Sequence, residues 1–195
     1  MEDLKKMFDN FRFNMLNRRA GSTESKAAEI IKNLNIKKGD IIADIGSGGG
    51  YFTLEFSKEV GVEGKVYAID TNKKSLDYIA RESGKRSREN IKVLLANESG
   101  FILPVQSVDI LFLRNVFHHL PEPTNYFENI KKFLKSNGKI SLIDYDKKGF
   151  SFIGISGHYV PEKVLIDKLE KAGFYVSEKF DFLPEQSFII FKMNP

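Results

Sequence analysis

Cysteine is absent from this sequence of 195 residues. Its absence excludes a disulfide framework, thiolate metal sites and a cysteine nucleophile. Long hydrophobic runs are absent as well, because no apolar stretch approaches the roughly 18 residues of a membrane span. The N-terminal segment MEDLKKMFDNF is polar and lacks the apolar core of a signal peptide. We therefore expect a cytoplasmic protein.

Charge of one sign is only slightly in excess, since 30 basic and 26 acidic residues give a formal net charge of +4. The densest group of basic residues runs from Arg81 to Lys92, and it also contains Glu82 and Glu89. Nucleic-acid binders concentrate their positive charge in a patch, whereas we interpret this run as a solvated helix end followed by a loop. The sequence therefore favours no nucleic-acid partner, and it does not indicate an oligomeric state.

Short apolar runs alternate with longer amphipathic segments between residues 41 and 172. The apolar runs predict five strands, at 41–46, 66–70, 91–96, 108–113 and 139–145. The amphipathic segments predict helices at 24–35, 51–60, 72–83, 123–136 and 161–172. This alternation predicts an α/β fold with a mostly parallel sheet covered on both faces. Two more predicted strands, at 174–180 and 187–192, follow each other without a helix, so we expect a seven-stranded sheet with an antiparallel last strand.

The length corresponds to about one domain, and no repeat or change of composition marks a second one. We therefore predict a single domain over 1–195, with a core at 23–195 and an N-terminal segment at 1–22. That segment precedes the first predicted helix and is expected to form a cap over the sheet edge. Residues 146–160 are the only long irregular stretch in the second half, and long loops in compact domains tend to be functional.

A glycine-rich segment carries the strongest functional signal. It reads Asp44-Ile45-Gly46-Ser47-Gly48-Gly49-Gly50 and lies between a predicted strand and a predicted helix. Glycine there permits a tight turn and close approach of a ligand to the backbone. Asp70 ends the next predicted strand, 20 residues after Gly50, where a carboxylate reaches ribose hydroxyls in nucleotide-type sites. We call residues 46–50 the glycine loop.

The spacing of this motif helps to identify the ligand. Dinucleotide-binding loops read G-x-G-x-x-G and place a pyrophosphate on a helix N-terminus, whereas this loop reads D-x-G-x-G-x-G. The carboxylate of Asp44, two residues before the first glycine, would repel a phosphate but can hold a positively charged group. This argues against a nicotinamide dehydrogenase. S-adenosylmethionine has no phosphate, and its amino acid end carries an ammonium group.

At this point the sequence resembles the class I S-adenosylmethionine-dependent methyltransferases, over roughly residues 25–192. The resemblance includes the glycine motif, Asp70, the segments LPVQSVDILFL (103–113) and FHHLPEP (117–123), and the final pair of strands. It is greatest for the small-molecule branch that includes the ubiquinone/menaquinone C-methyltransferases. The resemblance implies a Rossmann-like, doubly wound sheet and S-adenosylmethionine as cofactor.

The resemblance also implies roles for particular residues on the cofactor side. Asp44 would be oriented toward the methionine part of the cofactor, with Gly46, Ser47, Gly48 and Gly50 lying against it. Asp70 would take both ribose hydroxyls, and Thr71 would lie beside the adenine. The family commonly has an acid after the third strand that accepts from the adenine amino group, and this chain has Asn97 and Glu98 there as the candidate adenine partners. Arg114 follows the fourth strand on the sulfonium side, and Arg18 and Arg19 are candidates to meet the cofactor carboxylate.

Histidines are the candidate bases on the acceptor side, since methyl transfer to carbon, nitrogen or oxygen can require one. His118 and His119 follow the fourth strand, and His158 lies in the irregular loop after the fifth. We predict His118 or His158 as a base or acceptor ligand, although the His118–His119 pair can also serve only to cap a loop. The spacing of the histidines offers no metal signature, so no metal is expected.

Two further features bear on the acceptor. The N-P-P-Y/F motif of adenine-N6 and glutamine-N5 methyltransferases is absent after the fourth strand, and the missing cysteine excludes cytosine-C5 and cysteine-dependent arsenic chemistry. The acceptor loop is apolar, which fits an apolar or aromatic acceptor and equally an ordinary core, through Phe150, Phe152, Ile153 and Ile155. We expect a small-molecule acceptor. The alternatives are a protein or RNA methyltransferase of the same fold and a non-catalytic S-adenosylmethionine-binding module.

Overall fold

The computed structural model of the chain describes residues 2–97, 100–146 and 159–195. The described residues form helices at α1 (Glu2–Ala20), α2 (Ala27–Asn33), α3 (Tyr51–Val60), α4 (Lys73–Lys85), α5 (Pro123–Lys131) and α6 (Glu162–Lys171). The strands are β1 (Ile41–Ile45), β2 (Lys65–Asp70), β3 (Ile91–Leu95), β4 (Val108–Arg114), β5 (Leu134–Tyr145), β6 (Phe174–Phe180) and β7 (Gln186–Met193). They make a seven-stranded sheet in the order β3-β2-β1-β4-β5-β7-β6. The predicted fold class is confirmed.

Internal contacts divide the chain into two compact units, residues 1–101 and residues 102–195. In the first unit, β1 pairs with β2 and β2 pairs with β3, both in parallel. Most apolar side chains of β1 and β2 are buried, as expected for parallel strands that are covered on both faces, whereas Val93 and Leu95 of the edge strand β3 are exposed. The register places Asp44 opposite Ala68 and Asp70 opposite Leu95. Both aspartates therefore stand near the carboxyl edge of this part of the sheet.

In the second unit, β4 and β5 are parallel, whereas β7 runs antiparallel to both β5 and β6. These antiparallel pairs agree with the prediction of an antiparallel last strand, which was made because no helix is predicted between the last two strands. The strands of this unit are packed with large apolar side chains, among which Leu142, Phe188 and Phe191 are completely buried. The parallel pair brings Arg114 and Asp144 to its carboxyl edge.

The N-terminal segment differs from the prediction. Residues 2–20 form a helix, so the expectation that the first helix begins at residue 24 is wrong. Phe13 supplies the apolar contact that holds this helix, because it is buried with its ring 5.2 Å from the ring of Tyr78 on α4. Asn14 accepts a hydrogen bond from the Tyr78 hydroxyl at 2.5 Å, and Asn10 accepts one from Arg81 at 2.6 Å. Leu4, Phe8, Phe11 and Met15 recur at helical spacing but are exposed, so Phe13 and polar side chains attach the helix to α4.

The boundary between α5 and β5 also differs from the prediction. The helix predicted to reach residue 136 ends at Lys131, and the strand predicted to begin at residue 139 begins at Leu134. The carbonyl of Phe133 accepts hydrogen bonds from the backbone of Ser107 and Val108, both at 2.9 Å. These bonds pull the chain into the sheet before the helical pattern of the sequence ends.

Candidate functional site

The glycine loop joins β1 to α3 in a conformation that requires glycine. Gly46, Gly48 and Gly50 have φ angles of 71°, 52° and 80°, in the left-handed region. The backbone N–H groups of Gly46 and Ser47 both donate to the carbonyl of Ile69 on β2, at 2.8 and 3.1 Å. The loop is therefore anchored at the carboxyl ends of β1 and β2, which is where open α/β sheets bind their ligands.

Asp70, the last residue of β2, connects the glycine loop to the start of α4. Its Oδ2 accepts hydrogen bonds from the Gly48 N–H at 2.9 Å and the Ser75 hydroxyl at 3.3 Å, and its Oδ1 accepts one from the Asn72 N–H at 2.8 Å. A carboxylate offers about four lone-pair sites, so these three donors leave it capacity to accept from a hydroxyl. Asp70 thus shapes the loop, and its contact with a ribose stays a prediction.

The glycines of the loop differ in what a side chain would meet. A Cβ on Gly50 would stand 2.6 Å from Ile79 Cγ1 on α4, and one on Gly49 would stand 2.3 Å from Asn17 Oδ1 on α1. Glycine is needed at these two positions because helices pack against them. A Cβ on Gly48 would meet a single backbone oxygen, at 3.8 Å. The space beside Gly48 is therefore where a ligand can approach the backbone of the loop.

Asp44 is a buried carboxyl directly before the loop. Its Oδ2 accepts a hydrogen bond from the hydroxyl of Thr53 on α3, at 2.5 Å. Burial raises the pKa of Asp44 to about 7, and the nearby charge of Asp70 adds to that effect, while the Thr53 hydrogen bond opposes it. Ionised Asp44 is costly in this setting unless a positive group approaches. The residue therefore suits a cationic ligand, as the sequence motif predicts.

Ser47 supplies a further indication of a ligand. Its hydroxyl is buried in the loop and has no hydrogen-bond partner among the described residues. Buried polar groups are normally hydrogen-bonded, so such an exception calls for an explanation. The chemistry of Asp44, Ser47, Gly48 and Asp70 fits a ligand that has a cationic end and hydroxyl groups. S-adenosylmethionine has both, and its ammonium group would be held by Asp44 and its ribose by Asp70.

The predicted adenine residues follow the next two strand ends. Thr71 is exposed directly after Asp70, and Asn97 is exposed shortly after β3. The Ala96 N–H donates to the carbonyl of Asp70 at 2.9 Å, so the ends of β2 and β3 lie side by side. Glu98 lies outside the described residues. The structure therefore brings Thr71 and Asn97 to the same edge as Asp70, and their roles stay predictions.

The last turn of α1 lies beside the glycine loop. Asn17 contacts the loop at Gly49, as the short distance to a Cβ there shows. Arg18 and Arg19 follow Asn17 in this turn, and both side chains are exposed. The helix thus brings the two arginines to the vicinity of the loop. Their contact with a cofactor carboxylate stays a prediction.

In the second unit, Arg114 belongs to a chain of hydrogen bonds at the end of β4. Its Nη2 donates to Gln186 Oε1 at 3.1 Å, and Gln186 Nε2 donates to Asn115 Oδ1 at 2.6 Å. Asn115 has a φ of 58°, an uncommon angle for a residue other than glycine. Non-glycine residues held in this region tend to cluster at functional sites. The guanidinium of Arg114 is thus engaged with β7, and its predicted role at the sulfonium side of the cofactor is not tested by these contacts.

His118 is fixed by a buried carboxylate. Its Nδ1 lies 2.8 Å from Asp144 Oδ1, and its backbone N–H donates to Asp144 Oδ2 at 3.2 Å. The Asp144 side chain is fully buried, and that of His118 is 9% exposed. Asp144 Oδ1 also accepts from the Tyr145 N–H at 2.8 Å. An ionised carboxylate only accepts, so this arrangement assigns a proton to Nδ1.

Part of the acceptor-side predictions concerns residues that the structure does not describe. The ring of His119 lies 4.0 Å from that of His118 and is more exposed. His158 lies outside the described residues, as do the four apolar residues of the predicted acceptor loop. Within residues 2–97, 100–146 and 159–195, no group of three or more histidine and carboxylate side chains is placed to hold a metal ion.

Three side chains at these sites were missed by the sequence analysis. Asp144 holds His118, Thr53 holds Asp44, and Ser75 bonds to both Asp70 and the loop. A usable signal existed for Asp144, because it ends an apolar strand pattern in the same way as Asp44 and Asp70 do. Thr53 and Ser75 lie on helices, where nothing in the sequence marks which polar residue faces a site.

Comparisons with known proteins identify a matching family and a similar solved structure. A family model described as a methyltransferase domain matches residues 36–182. The chain resembles a solved S-adenosylmethionine-dependent methyltransferase from Aquifex aeolicus with a TM-score of 0.82 and 26% identity, over 95% of this chain and 98% of the other.

Curated relatives match over shorter stretches. A probable cobalt-precorrin-6B C(15)-methyltransferase (decarboxylating) from Saccharolobus solfataricus is 40% identical over 80 residues, which are 41% of this chain and 40% of that protein. A demethylmenaquinone methyltransferase from Geobacillus stearothermophilus is 23% identical over 110 residues, 56% of this chain and 47% of the other. The matched stretches thus span less than half the length of these relatives.

Proposed function

The chain belongs to the methyltransferase domain family, and from this we propose that it is an S-adenosylmethionine-dependent methyltransferase whose acceptor is a small molecule of apolar or aromatic character. The observation that carries the proposal is the glycine loop, in which the Gly48 N–H donates a hydrogen bond to Asp70 Oδ2 at 2.9 Å. The buried carboxyl of Asp44 next to this loop favours a cationic ligand. The names of the relatives, which include two methyltransferases of small molecules, support the same acceptor class.

S-adenosylmethionine, when bound, supplies a methyl group on a sulfonium sulfur, a leaving group that needs no protonation. The tasks left to the chain are to align the acceptor, to exclude water and to receive a proton where the acceptor carries one. His118 is our candidate for the last task, because the buried carboxylate of Asp144 fixes its ring and would stabilise the imidazolium that forms when the ring takes a proton. Methyl transfer would break the bond between the methyl carbon and the sulfonium sulfur, which keeps the electron pair as a neutral thioether, and any proton released by the acceptor would move to the ring of His118.

The basic run at residues 81–92 gives little support to an RNA or protein acceptor. Lys85 and Arg86 both pair with Glu82, at 2.8 and 3.7 Å. Arg81 donates to Asn10 on α1 at 2.6 Å. These cations are thus engaged within the first unit, and a phosphate-binding patch would need them available. A small acceptor therefore remains the better supported class.

The proposal is tested by methyl transfer from labelled S-adenosylmethionine to separate small-molecule, protein and RNA pools. We expect label in the small-molecule pool alone. The variant that tests the proposed proton acceptor is His118→Asn, because asparagine can still donate to Asp144 but cannot take a proton. Loss of a general base typically costs about 10²–10⁴ in rate, so we expect a loss in that range for an acceptor that must lose a proton, with cofactor affinity unchanged.

The other outcomes of this experiment are equally informative. Label in RNA or protein alone would overturn the small acceptor while leaving the methyltransferase activity intact. Tight cofactor binding without transfer to any pool would indicate a non-catalytic binding module. Full activity of His118→Asn across pH 6 to 9 would remove His118 from the chemistry, whatever the acceptor.

A further inference from the structure

Thr53 is a buried polar residue in the first turn of α3, shortly after the glycine loop. The residue is completely buried, and its hydroxyl donates a hydrogen bond to Asp44 Oδ2 on β1 at 2.5 Å. The backbone N–H of Thr53 also bonds to this carboxyl group. A single residue of the helix therefore holds the carboxyl of Asp44 through two donors.

The place of Thr53 at the start of the helix explains why these bonds form. The first N–H groups of an α-helix have no acceptor within the helix, and Gly50, which precedes α3, has no side chain to supply one. The carboxyl of Asp44 supplies an acceptor from the neighbouring strand. A negative charge near the N-terminus of a helix is also favoured by the helix dipole. The start of α3 thus favours the ionised form of Asp44.

Burial opposes the effect of Thr53 on Asp44. Asp44 is only 3% exposed, and burial raises its pKa to about 7, with a smaller contribution from the charge of Asp70 at the end of β2. Without the Thr53 hydroxyl, the effect of burial would be less opposed, so the carboxyl would hold its proton to a higher pH. The charge on Asp44 near neutral pH therefore depends on Thr53.

From this geometry we propose that Thr53 is a positioning residue for the cofactor, which fixes the carboxyl of Asp44 and keeps it ionised for the ammonium group of an adenosyl ligand. The identity of that ligand rests on the proposed function. Thr53 affects binding through Asp44, so the effect should vary with pH as Asp44 titrates. A residue that only packs the helix would instead change the affinity by the same factor at every pH.

Calorimetric titration of the full chain with S-adenosylhomocysteine between pH 6 and pH 9 tests this proposal. Thr53→Val replaces the hydroxyl by a methyl group, and loss of a hydrogen bond to a charged group should raise the pKa of Asp44 by about one unit. If ionised Asp44 binds the ligand, this shift lowers the affinity about fivefold at pH 7 and hardly at all at pH 9. The ratio of the affinities of the variant and the unchanged protein cancels the titration of the ligand itself.

Three further variants complete the series. Thr53→Ser keeps the hydroxyl and should restore the pH profile of the unchanged protein. Thr53→Ala removes the hydroxyl in a second way and replaces the valine variant if that variant does not fold. Ser57→Ala is the matched control, because Ser57 is a buried residue of the same helix whose hydroxyl donates to Asn90 Oδ1 at 2.6 Å. Its affinity, relative to the unchanged protein, should not depend on pH.

A second measurement needs no ligand. Carbon-13 NMR of the aspartate carboxyl groups, with the Asp44 signal assigned by its loss in Asp44→Asn, should show this carboxyl titrating about one pH unit higher in Thr53→Val. An unchanged titration of Asp44, or a loss of affinity by the same factor at every pH, would overturn the proposal. If the unchanged protein binds no adenosyl ligand, the proposed function is wrong, and the carboxyl titration still decides whether Thr53 controls the charge of Asp44.

Discussion

Asp44, Asp70 and Asp144 each stand at the end of a strand or one residue before it, yet their surroundings differ. Asp44 is buried with the hydroxyl and the backbone N–H of Thr53 as donors, Asp70 accepts from two backbone N–H groups, and Asp144 is buried with a histidine as partner. Burial outweighs these hydrogen bonds at Asp44, where it raises the pKa and favours the neutral carboxyl. The residue type alone therefore does not determine what a strand-end aspartate does.

Asp44 should make the stability of the ligand-free protein depend on pH. Its pKa is raised to about 7 from 3.8, so between these values the folded chain holds a proton that the unfolded chain has lost. The stability therefore falls as pH rises through this window and levels off above about pH 7. Asp44→Asn removes this titration. In urea unfolding, we expect the variant to be more stable than the unchanged protein at pH 8 by about 2–4 kcal/mol, with the difference vanishing near pH 4.

The same variant should bind the cofactor more weakly, because asparagine has no charge to attract an ammonium group. For the unchanged protein, affinity for S-adenosylmethionine should rise between pH 6 and pH 8 as Asp44 ionises. This rise should be missing in Asp44→Asn. Parallel pH profiles of stability for the two proteins would show that Asp44 does not titrate in this range.

Asp70→Ala should weaken both the cofactor complex and the free protein. Each charge-assisted hydrogen bond to a ribose hydroxyl is worth roughly 1.5–3 kcal/mol, and competition from water reduces this. We expect about a tenfold to hundredfold loss of affinity by calorimetry. The variant also deprives the Gly48 and Asn72 N–H groups of their acceptor, so its melting temperature should fall without ligand. The sequence on its own suggests no such fall, since a carboxylate at that edge faces a crevice.

Asp70→Asn is the milder companion variant. Its one carbonyl oxygen can accept from Gly48 or from Asn72 but not replace both carboxylate oxygens, so both effects should be smaller than for alanine. A lower melting temperature with unchanged cofactor affinity would restrict Asp70 to holding the glycine loop, and the ribose contact would then be wrong.

At the scale of elements, the sequence predicted best where one apolar pattern continued without interruption. The strands at 66–70 and 108–113 and the helix at 51–60 have bounds within one residue of those observed. Buried parallel strands read as continuous apolar runs, and glycine marks the loop between β1 and α3. These local signals agree with the tertiary contacts, so they were sufficient to predict the bounds of these elements.

The sequence predicted least where tertiary contacts determine the structure. Helix α1 is attached through Phe13 and a set of polar contacts to α4, a combination without a clear 3.6-residue apolar period on the packed face. Strand β5 begins five residues early because Phe133 is bonded to Ser107 and Val108. Both features depend on partners that are distant in the sequence.

In the candidate site, too, features set by the local sequence were predicted and features set by distant contacts were missed. The glycine loop and Asp70 were predicted because local spacing determines them. The residues that orient them, Thr53 and Ser75, come from helices and were missed. His118 was predicted from its place after β4, but only the structure shows that Asp144 fixes its ring and tautomer.

At the scale of the whole molecule, the two compact units carry different parts of the proposed chemistry. The residues proposed for the cofactor lie mainly in the first unit, with Asp44, the glycine loop and Asp70. The proposed proton acceptor, His118, and its partner Asp144 lie in the second. None of the described helices has the length and apolar character needed to cross a bilayer. The account as a whole depends on the nature of the ligand at the glycine loop.

Calorimetric titration of the full chain with S-adenosylhomocysteine, S-adenosylmethionine and NAD tests that claim most directly. The account predicts binding of both adenosyl ligands and none of NAD. Gly48→Val should abolish binding in a folded protein, because its side chain would fill the ligand space beside the loop and its φ of 52° disfavours valine. Gly84→Val is the matched control, since a Cβ there meets nothing within 4 Å, and it should bind normally. Binding of NAD without the adenosyl ligands, or unchanged affinity in folded Gly48→Val, would contradict the account.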